Sequence, residues 1–240
     1  MCSLVVRRFV LSIIFLLTVQ IVGCHNEAPV PASSHKEVPS TSATVVEDSV
    51  PQDTPFELEP EFTLLTRDQF ISFQPEPETW TVTDDGIASS GKPRGYLYSQ
   101  QPYENFTLRL EYRFPRPKGL KDDSKFKGNT GFLVYINGEH KLWPICVEIQ
   151  GKYLQMAAIK ENGGADPVIA EDDDAARQKA RKPVGQWNSL EIISKAGALQ
   201  VILNGTPISN SQPGLLKSGL IGIQAEDHPF EVRRMRIRSE

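Results

Sequence analysis

Residues Gly128 to Gln150, GNTGFLVYINGEHKLWPICVEIQ, carry the fold of this chain. They alternate as two strands joined by a connection that passes through Trp143 and Pro144. On the first strand Thr130, Phe132, Val134 and Ile136 share one face, and Gly131, Leu133 and Tyr135 share the other. On the second, Cys146, Glu148 and Gln150 alternate with Ile145, Val147 and Ile149. One face is apolar and the opposite one carries an acid and an amide on a rigid support, which suits a hydroxyl-rich ligand. A two-sided sheet whose polar face only meets water has the same pattern.

Outward from this pair, the alternation recurs. Asn105 to Phe114 sets Phe106, Leu108, Leu110, Tyr112 and Phe114 against Thr107, Arg109, Glu111 and Arg113. Thr79 to Thr83 ends at the turn Asp84-Asp85-Gly86, and Ile87 resumes the pattern. Tyr153 to Ile159 reads as a further strand. Gln186 to Ser194 and Ala198 to Leu203 form a hairpin across Lys195-Ala196-Gly197, and Asn204-Gly205 predicts a tight type I′ turn. Leu220 to Gln224 and Phe230 to Ile237 finish the sheet. The apolar phase of the last strand moves from Phe230 and Val232 to Met235 and Ile237, which predicts a β-bulge near Arg233-Arg234. Ala170 to Lys182 is the helical candidate, with acids at its start and bases at its end as the helix dipole prefers. Its acidic run, Glu171 to Asp174, lacks the glycine and ligand spacing of a calcium loop. Many short strands with regular turns and one short helix predict an all-β sandwich of two antiparallel sheets over residues 62–240.

The N-terminal quarter has a different character. Arg7 and Arg8 precede the apolar run Phe9 to Val22, the form of a secretory signal and too short for a membrane span. Ile21-Val22-Gly23-Cys24 resembles the lipobox of bacterial lipoproteins, with Ile where Leu is commoner. The resemblance implies a signal peptide over residues 1–23, a diacylated Cys24 and stable anchoring by two acyl chains. The location it implies is the cell envelope, with the domain held outside the cytoplasm on a bacterial membrane. Residues 24–61, with Pro29, Pro31, Pro39, Pro51, Pro55 and Pro60 among serines, threonines and acids, read as a disordered tether. Loss of Arg7 and Arg8 takes Lys and Arg from 26 to 24 against 30 acids, a formal charge of −6. That excludes a nucleic-acid partner, which needs a basic footprint. Only Cys146 is left beside Cys24, so there is no disulfide framework and no zinc spacing.

TWTVTDDGIASS, ENFTLRLEYRF, GNTGF, VEIQ, QWNSLEI, LNGTPI and GLIGIQAEDHPFEVRRMRIR, in this order, resemble the 3-keto-disaccharide hydrolase domain family. The likeness runs from about Phe62 to Arg238. It implies a concanavalin-like jelly roll acting on 3-keto-glycosides. Gly128 to Gly131 match the family's GNSG with Thr for Ser. Trp143, Pro144, Glu148 and Gln150 match WP…E.Q, Trp187-Asn188 match WN, and Gln224, Glu226 and His228 match Q.E.H. Two positions depart: Gly151 and Lys152 stand where many members carry an Asp, and Val232-Arg233-Arg234 replaces FRN.

The chemistry implied is elimination. A 3-keto group acidifies the hydrogen on C2, so a base at C2, a donor to the ketone and an acid for the leaving oxygen suffice, and water then adds to the enone. On this resemblance Glu148 is the candidate base and Glu226 or His228 the acid, while Asn129, Gln150 and Gln224 orient hydroxyls. Trp143 is a candidate for stacking on a sugar face, and Trp187 reads as core. Ordinary hydrolysis by two carboxylates is the close alternative. A non-catalytic carbohydrate-binding or cell-surface interaction module of the same fold is the other. No cofactor is called for; Glu148, Glu226 and His228 would suffice for one divalent ion, but no spacing demands it.

The lipobox reading predicts the mass of the mature protein. Intact mass spectrometry of the membrane-extracted chain should give a species beginning at Cys24 and carrying acyl chains. Any other mature N-terminus overturns the anchor.

Overall fold

The structure, a computed structural model, describes residues 55–74 and 78–240. The signal peptide, Cys24 and most of the expected tether lie outside the described residues. Two antiparallel sheets face one another. The larger runs in the order β10 (Ala170–Asp172), β13 (Thr206–Ser211), β12 (Ala198–Leu203), β11 (Asn188–Lys195), β6 (Phe106–Arg113), β15 (Phe230–Ser239), β4 (Gly86–Ser89), β3 (Trp80–Thr83). A short β1 (Thr63–Leu64) also pairs with β15. The smaller sheet runs β2 (Phe70–Phe73), β5 (Gly95–Ser99), β14 (Leu220–Ala225), β7 (Gly131–Asn137), β8 (Ile145–Gln150), β9 (Ile159–Asn162). Strands distant in sequence are neighbours in both sheets, the connectivity of a jelly-roll sandwich.

The core fills the space between the sheets. Leu108, Leu110 and Ile192 from the larger sheet meet Phe132, Ile149 and Ile223 from the smaller one, all buried. The expected alternation of β8 holds, with Val147 and Ile149 in this core and Cys146, Glu148 and Gln150 on the outer face. β7 departs from it. Tyr135 has a φ of 59°, and the register slips between Val134 and Asn137. The extra residue turns Tyr135 inward, where its hydroxyl meets Ser194 at 2.5 Å, and sends Ile136 outward beside Leu133. Strict alternation had put those two on the opposite faces. The bulge expected in β15 is present, with Arg234 at a φ of 52° and a register shift between Arg233 and Arg236.

Three other expectations change. Tyr153 to Ala158 is a bend, not a strand. Gln150 N–H donates to Ala158 O and Ala157 N–H donates to Gln150 O, closing it on itself before β9 begins. The helix α1 covers only Asp174–Ala180, because Ala170–Asp172 pairs with β13 instead. Its acids have structural partners: Asp173 caps the helix by accepting from Ala176 N–H, and Asp172 and Asp174 pair with the buried Arg177. Trp187 is not core. It is half-buried between the guanidinium groups of Arg113 and Arg233, 4.5 and 4.1 Å from its ring. Both tight turns are as expected, Ala196-Gly197 and Asn204-Gly205 each having positive φ at both positions.

The packed domain extends N-terminal of the expected boundary at Phe62. The Glu59 carboxylate accepts from Arg236 Nη2 at 2.5 Å and from Arg109 Nη1 at 3.3 Å, and Phe56 lies under Arg234 and Arg236. These residues were assigned to the tether on composition, which does not register an acid that finds two arginines on a sheet. The hydrogen bond from Arg236 holds the Glu59 carboxyl down at about 2. Its stabilisation is therefore present above the ordinary carboxylate pKa and is lost as pH falls through about 2. Glu59→Gln should lower the melting temperature at neutral pH by the equivalent of about 1 kcal/mol or less, since the pair is partly solvated. Thermal melts of both proteins should converge as the pH approaches 2.

Candidate functional site

Six strands lay a row of side chains across the outer face of the smaller sheet. Residues directly opposite each other share a face, so the pairings Tyr96–Gln224, Gly131–Gln150, Leu133–Glu148 and Glu148–Lys160 place these groups together. Around them Tyr96, Leu133, Ile136 and Cys146 form a second apolar cluster, separate from the sandwich core. Glu148 therefore emerges into a largely apolar surround. It is 8% exposed, and its Oε1 has no hydrogen-bond partner.

Glycine makes the space for it. A Cβ on Gly131 would stand 2.3 Å from Glu148 Oε1, so only glycine leaves the carboxyl where it is. Burial, and secondarily the charge of Glu226, pushes the Glu148 carboxyl up to about 7, while Lys160 draws it down. Gln224, 2% exposed, also has an unpartnered Oε1, and so does the Oδ1 of Asn129. One further such atom among the described residues, Asp123 Oδ1, is 2.8 Å from Arg116 and is accounted for. Asn129 and Gln224 are held in relation to each other by the intervening backbone, because Thr130 Oγ1 donates to the Gln224 carbonyl at 2.6 Å. Gln150 uses its Oε1 to accept from Lys152 N–H at 3.0 Å, which aims the amide along the strand end.

Glu226, Asp227 and His228 arrive from the connection between β14 and β15. Burial raises the Glu226 carboxyl above its ordinary value, against the pull of Arg94 and Lys152. Asp227 is occupied by Arg94, whose Nε donates to Oδ2 at 2.9 Å. His228 faces the edge of Phe126, with ring centres 6.3 Å apart, and its Nδ1 lies 3.3 Å from the Glu226 carbonyl. The Glu226 carboxyl is thus close enough to disfavour charge on Glu148, and the two share this end of the sheet. Among the described residues no three His, Cys, Asp or Glu side chains converge as metal ligands, so Glu148, Glu226 and His228 do not form such a set.

Trp143 is half-buried in the β7–β8 connection, and among the described residues no hydrogen bond or ring contact ties its side chain to this face. The neighbour that the alternation missed is aromatic. Tyr98 stacks on His140 with centroids 4.1 Å apart, and Tyr96 Oη lies 2.8 Å from His140 Nδ1. Gly95-Tyr96-Leu97-Tyr98-Ser99 carries that signal in its alternating tyrosines. Gly151 departs from the expected acid for a visible reason: a Cβ there would lie 2.6 Å from Thr130 Cγ2 and 2.7 Å from its carbonyl oxygen. A groove of about 430 Å³ between Phe56, Leu64, Val82 and Arg234 lies on another part of the domain.

The opposite outer face, on the larger sheet, offers a contrast. There Arg109 pairs with Glu191, Arg113 with Glu231 and Arg233 with Glu111, so charge is answered within the sheet. Among the described residues, the unanswered acceptors are those of Glu148, Gln224 and Asn129, carried on or next to the smaller sheet.

The domain is a jelly-roll sandwich with buried, unpartnered carboxyl and amide groups on one outer face. The chain belongs to the 3-keto-alpha-glucoside-1,2-lyase-like domain family, whose sequence pattern matches residues 67–238. Two solved structures from Parabacteroides distasonis ATCC 8503, each described as a candidate glycosyl hydrolase, share the fold. One is 22% identical, covers 75% of this chain and 99% of its own, and superposes with a TM-score of 0.54. The other is 18% identical over 75% of this chain and 94% of its own, with a TM-score of 0.56. None of the curated proteins compared with the chain matches it.

Because the folded state raises the Glu148 pKa, the stability associated with its neutral form is full below the ordinary value near 4.5 and is lost as pH rises through about 7. Glu148→Gln keeps the shape and removes that penalty. At pH 8 the variant should be more stable than the wild type, by up to about 3 kcal/mol. Denaturant melts should show the gap closing by pH 4.5. A gap that does not change with pH would mean that the carboxyl is not buried in solution.

Proposed function

We propose that the domain is a sugar-processing hydrolase that cleaves 3-keto-glycosides by elimination and hydration. The observation that supports this best is the gathering of unpartnered buried acceptors, Glu148 Oε1, Gln224 Oε1 and Asn129 Oδ1, around a carboxyl that titrates near 7. Hydroxyl groups of a sugar supply the missing donors, and a carboxyl poised near neutrality can give and take a proton.

Glu148 acts as the base. Its carboxylate removes the proton from C2 beside the ketone, and the C2–H electron pair becomes an enolate. Collapse of the enolate expels the oxygen on C1, which takes a proton from Glu226 or His228, leaving a C1=C2 double bond conjugated with the ketone. Water adds at C1, C2 regains a proton, and the product is the free 3-keto sugar. Asn129, Gln224 and the amide of Gln150 hold hydroxyls so that the C2 hydrogen faces Glu148. Desolvation is what makes Glu148 a strong enough base: an exposed carboxylate would be fully ionised and weakly basic. Acylation at Cys24 would hold this activity on the outside of a bacterial membrane, where glycosides arrive.

The assay that tests the reading offers 3-keto-trehalose or methyl 3-keto-glucoside beside the unoxidised sugars. Turnover of the keto forms alone is expected, with kcat/KM falling as pH drops through about 7, where Glu148 becomes protonated. Glu148→Gln should abolish turnover and retain much of the binding. Turnover of the unoxidised sugars would mean ordinary hydrolysis, and binding without turnover would mean a binding module.

A further inference from the structure

Elimination through an enolate needs more than a base. Negative charge moves from Glu148 to the oxygen on C3, and a positive group must await it there. The acids of the site cannot supply one. Lys160 on β9 is directly opposite Glu148 on β8, so its side chain rises from the same face with its Cβ about 5 Å away. We propose that Lys160 is the electrophile of this reaction, its ammonium group donating a hydrogen bond to the C3 oxygen and stabilising the enolate.

Three features support this role, which rests on the proposed function above. The first is placement, since no other cation stands opposite Glu148 in the sheet. Arg94 is taken by Asp227, and Lys152 acts on Glu226. The second is restraint. Lys160 Nζ donates to Gln155 Oε1 at 2.7 Å, a residue of the bend that precedes β9, and makes no ion pair with Glu148. A lysine collapsed onto the carboxylate would quench the base. Held by Gln155, its ammonium is directed towards the bend rather than onto the base. The third is electrostatic communication. Lys160 is close enough to lower the Glu148 carboxyl against burial and the charge of Glu226. The groups that face Glu148 are thus Lys160 from β9 and Glu226 from the β14–β15 connection, with Arg94, Lys152, Asp227 and His228 grouped around Glu226.

In the step itself, Glu148 gains the C2 proton as the C2–H pair forms the C2=C3 bond and the C3=O pair moves onto oxygen. Lys160 remains protonated and hydrogen-bonded to that oxyanion. When the ketone re-forms, the C1–O bond breaks and the pair leaves with the glycosidic oxygen. No redox partner enters, and charge is conserved at each stage.

The experiment measures loss of the C2 hydrogen separately from bond cleavage. 1,5-Anhydro-3-keto-glucitol has no glycosidic bond, and in deuterium oxide its C2 exchange, followed by NMR, reports only base and electrophile. The wild type is expected to catalyse exchange at C2. Lys160→Met should slow exchange, and kcat on methyl 3-keto-glucoside, by roughly 100-fold or more, the usual effect of losing one oxyanion donor. Lys160→Arg should restore part of it. Loss of the cation should also move the acid limb of kcat/KM to higher pH, because Lys160 lowers the Glu148 pKa. A purely structural lysine would change the melting temperature but leave the C2 exchange rate of the folded variant unchanged. Wild-type exchange and cleavage with Lys160→Met unimpaired overturns the role of Lys160 alone. Absence of exchange by the wild type overturns the elimination reading and this proposal together.

Discussion

A carboxyl group held out of water with one oxygen unpartnered is the constraint on which the candidate site depends. Such a group costs free energy wherever it occurs, and it persists only if the surrounding structure leaves it no alternative. Here the alternatives are closed one by one. Leu133 and Cys146 occupy the positions beside it, Gln150 spends its acyl oxygen on Lys152, and Lys160 is drawn off by Gln155. The sandwich core beneath, shared between two sheets, supplies the stability that tolerates this. Glu148 sits on β8, next to the edge of the smaller sheet, where β7 and β9 on its two sides fix its backbone. A loop would have let the carboxyl swing into solvent and return to an ordinary pKa.

The architecture was legible because it depends on alternation and turn residues, which are local. Phe106 to Phe114 could face the core in one way only, and Asn204-Gly205 could be little other than a tight turn. The placing of Glu148 on one face with Gln150 was legible for the same reason, the two being two residues apart on one strand. What escaped was set by non-local events. The β7 bulge at Tyr135 is a single left-handed residue with no glycine to announce it, so Ile136 was assigned to the wrong face. Trp187 looked like core because tryptophan usually is, whereas two arginines from other strands sandwich it. Lys160 and Tyr96 joined the site only through strand pairings between β8 and β9 and between β5 and β14, which composition cannot reveal.

Position 151 shows a similar constraint. The resemblance leads to the expectation of an acid where Gly151 and Lys152 stand, yet the backbone at Gly151 runs so close to Thr130 that no side chain fits there. Thr130 is also the residue that ties β7 to the Gln224 carbonyl. Glu226 reaches that end of the face from another connection.

The two ends of the larger sheet are differently protected, and that bears on how the molecule behaves in company. At one end β10 presents Glu171 and Asp172, whose charge repels a second chain that would extend the sheet. At the other, β3 ends in Thr81, Val82 and Thr83, all exposed, with Val82 66% accessible, and among the described residues it pairs on one side only. Its free row of backbone groups, carried on residues of high strand propensity, is a template for intermolecular pairing. Pairing through β3 would extend the larger sheet, whereas Glu148 is carried by β8 of the smaller one.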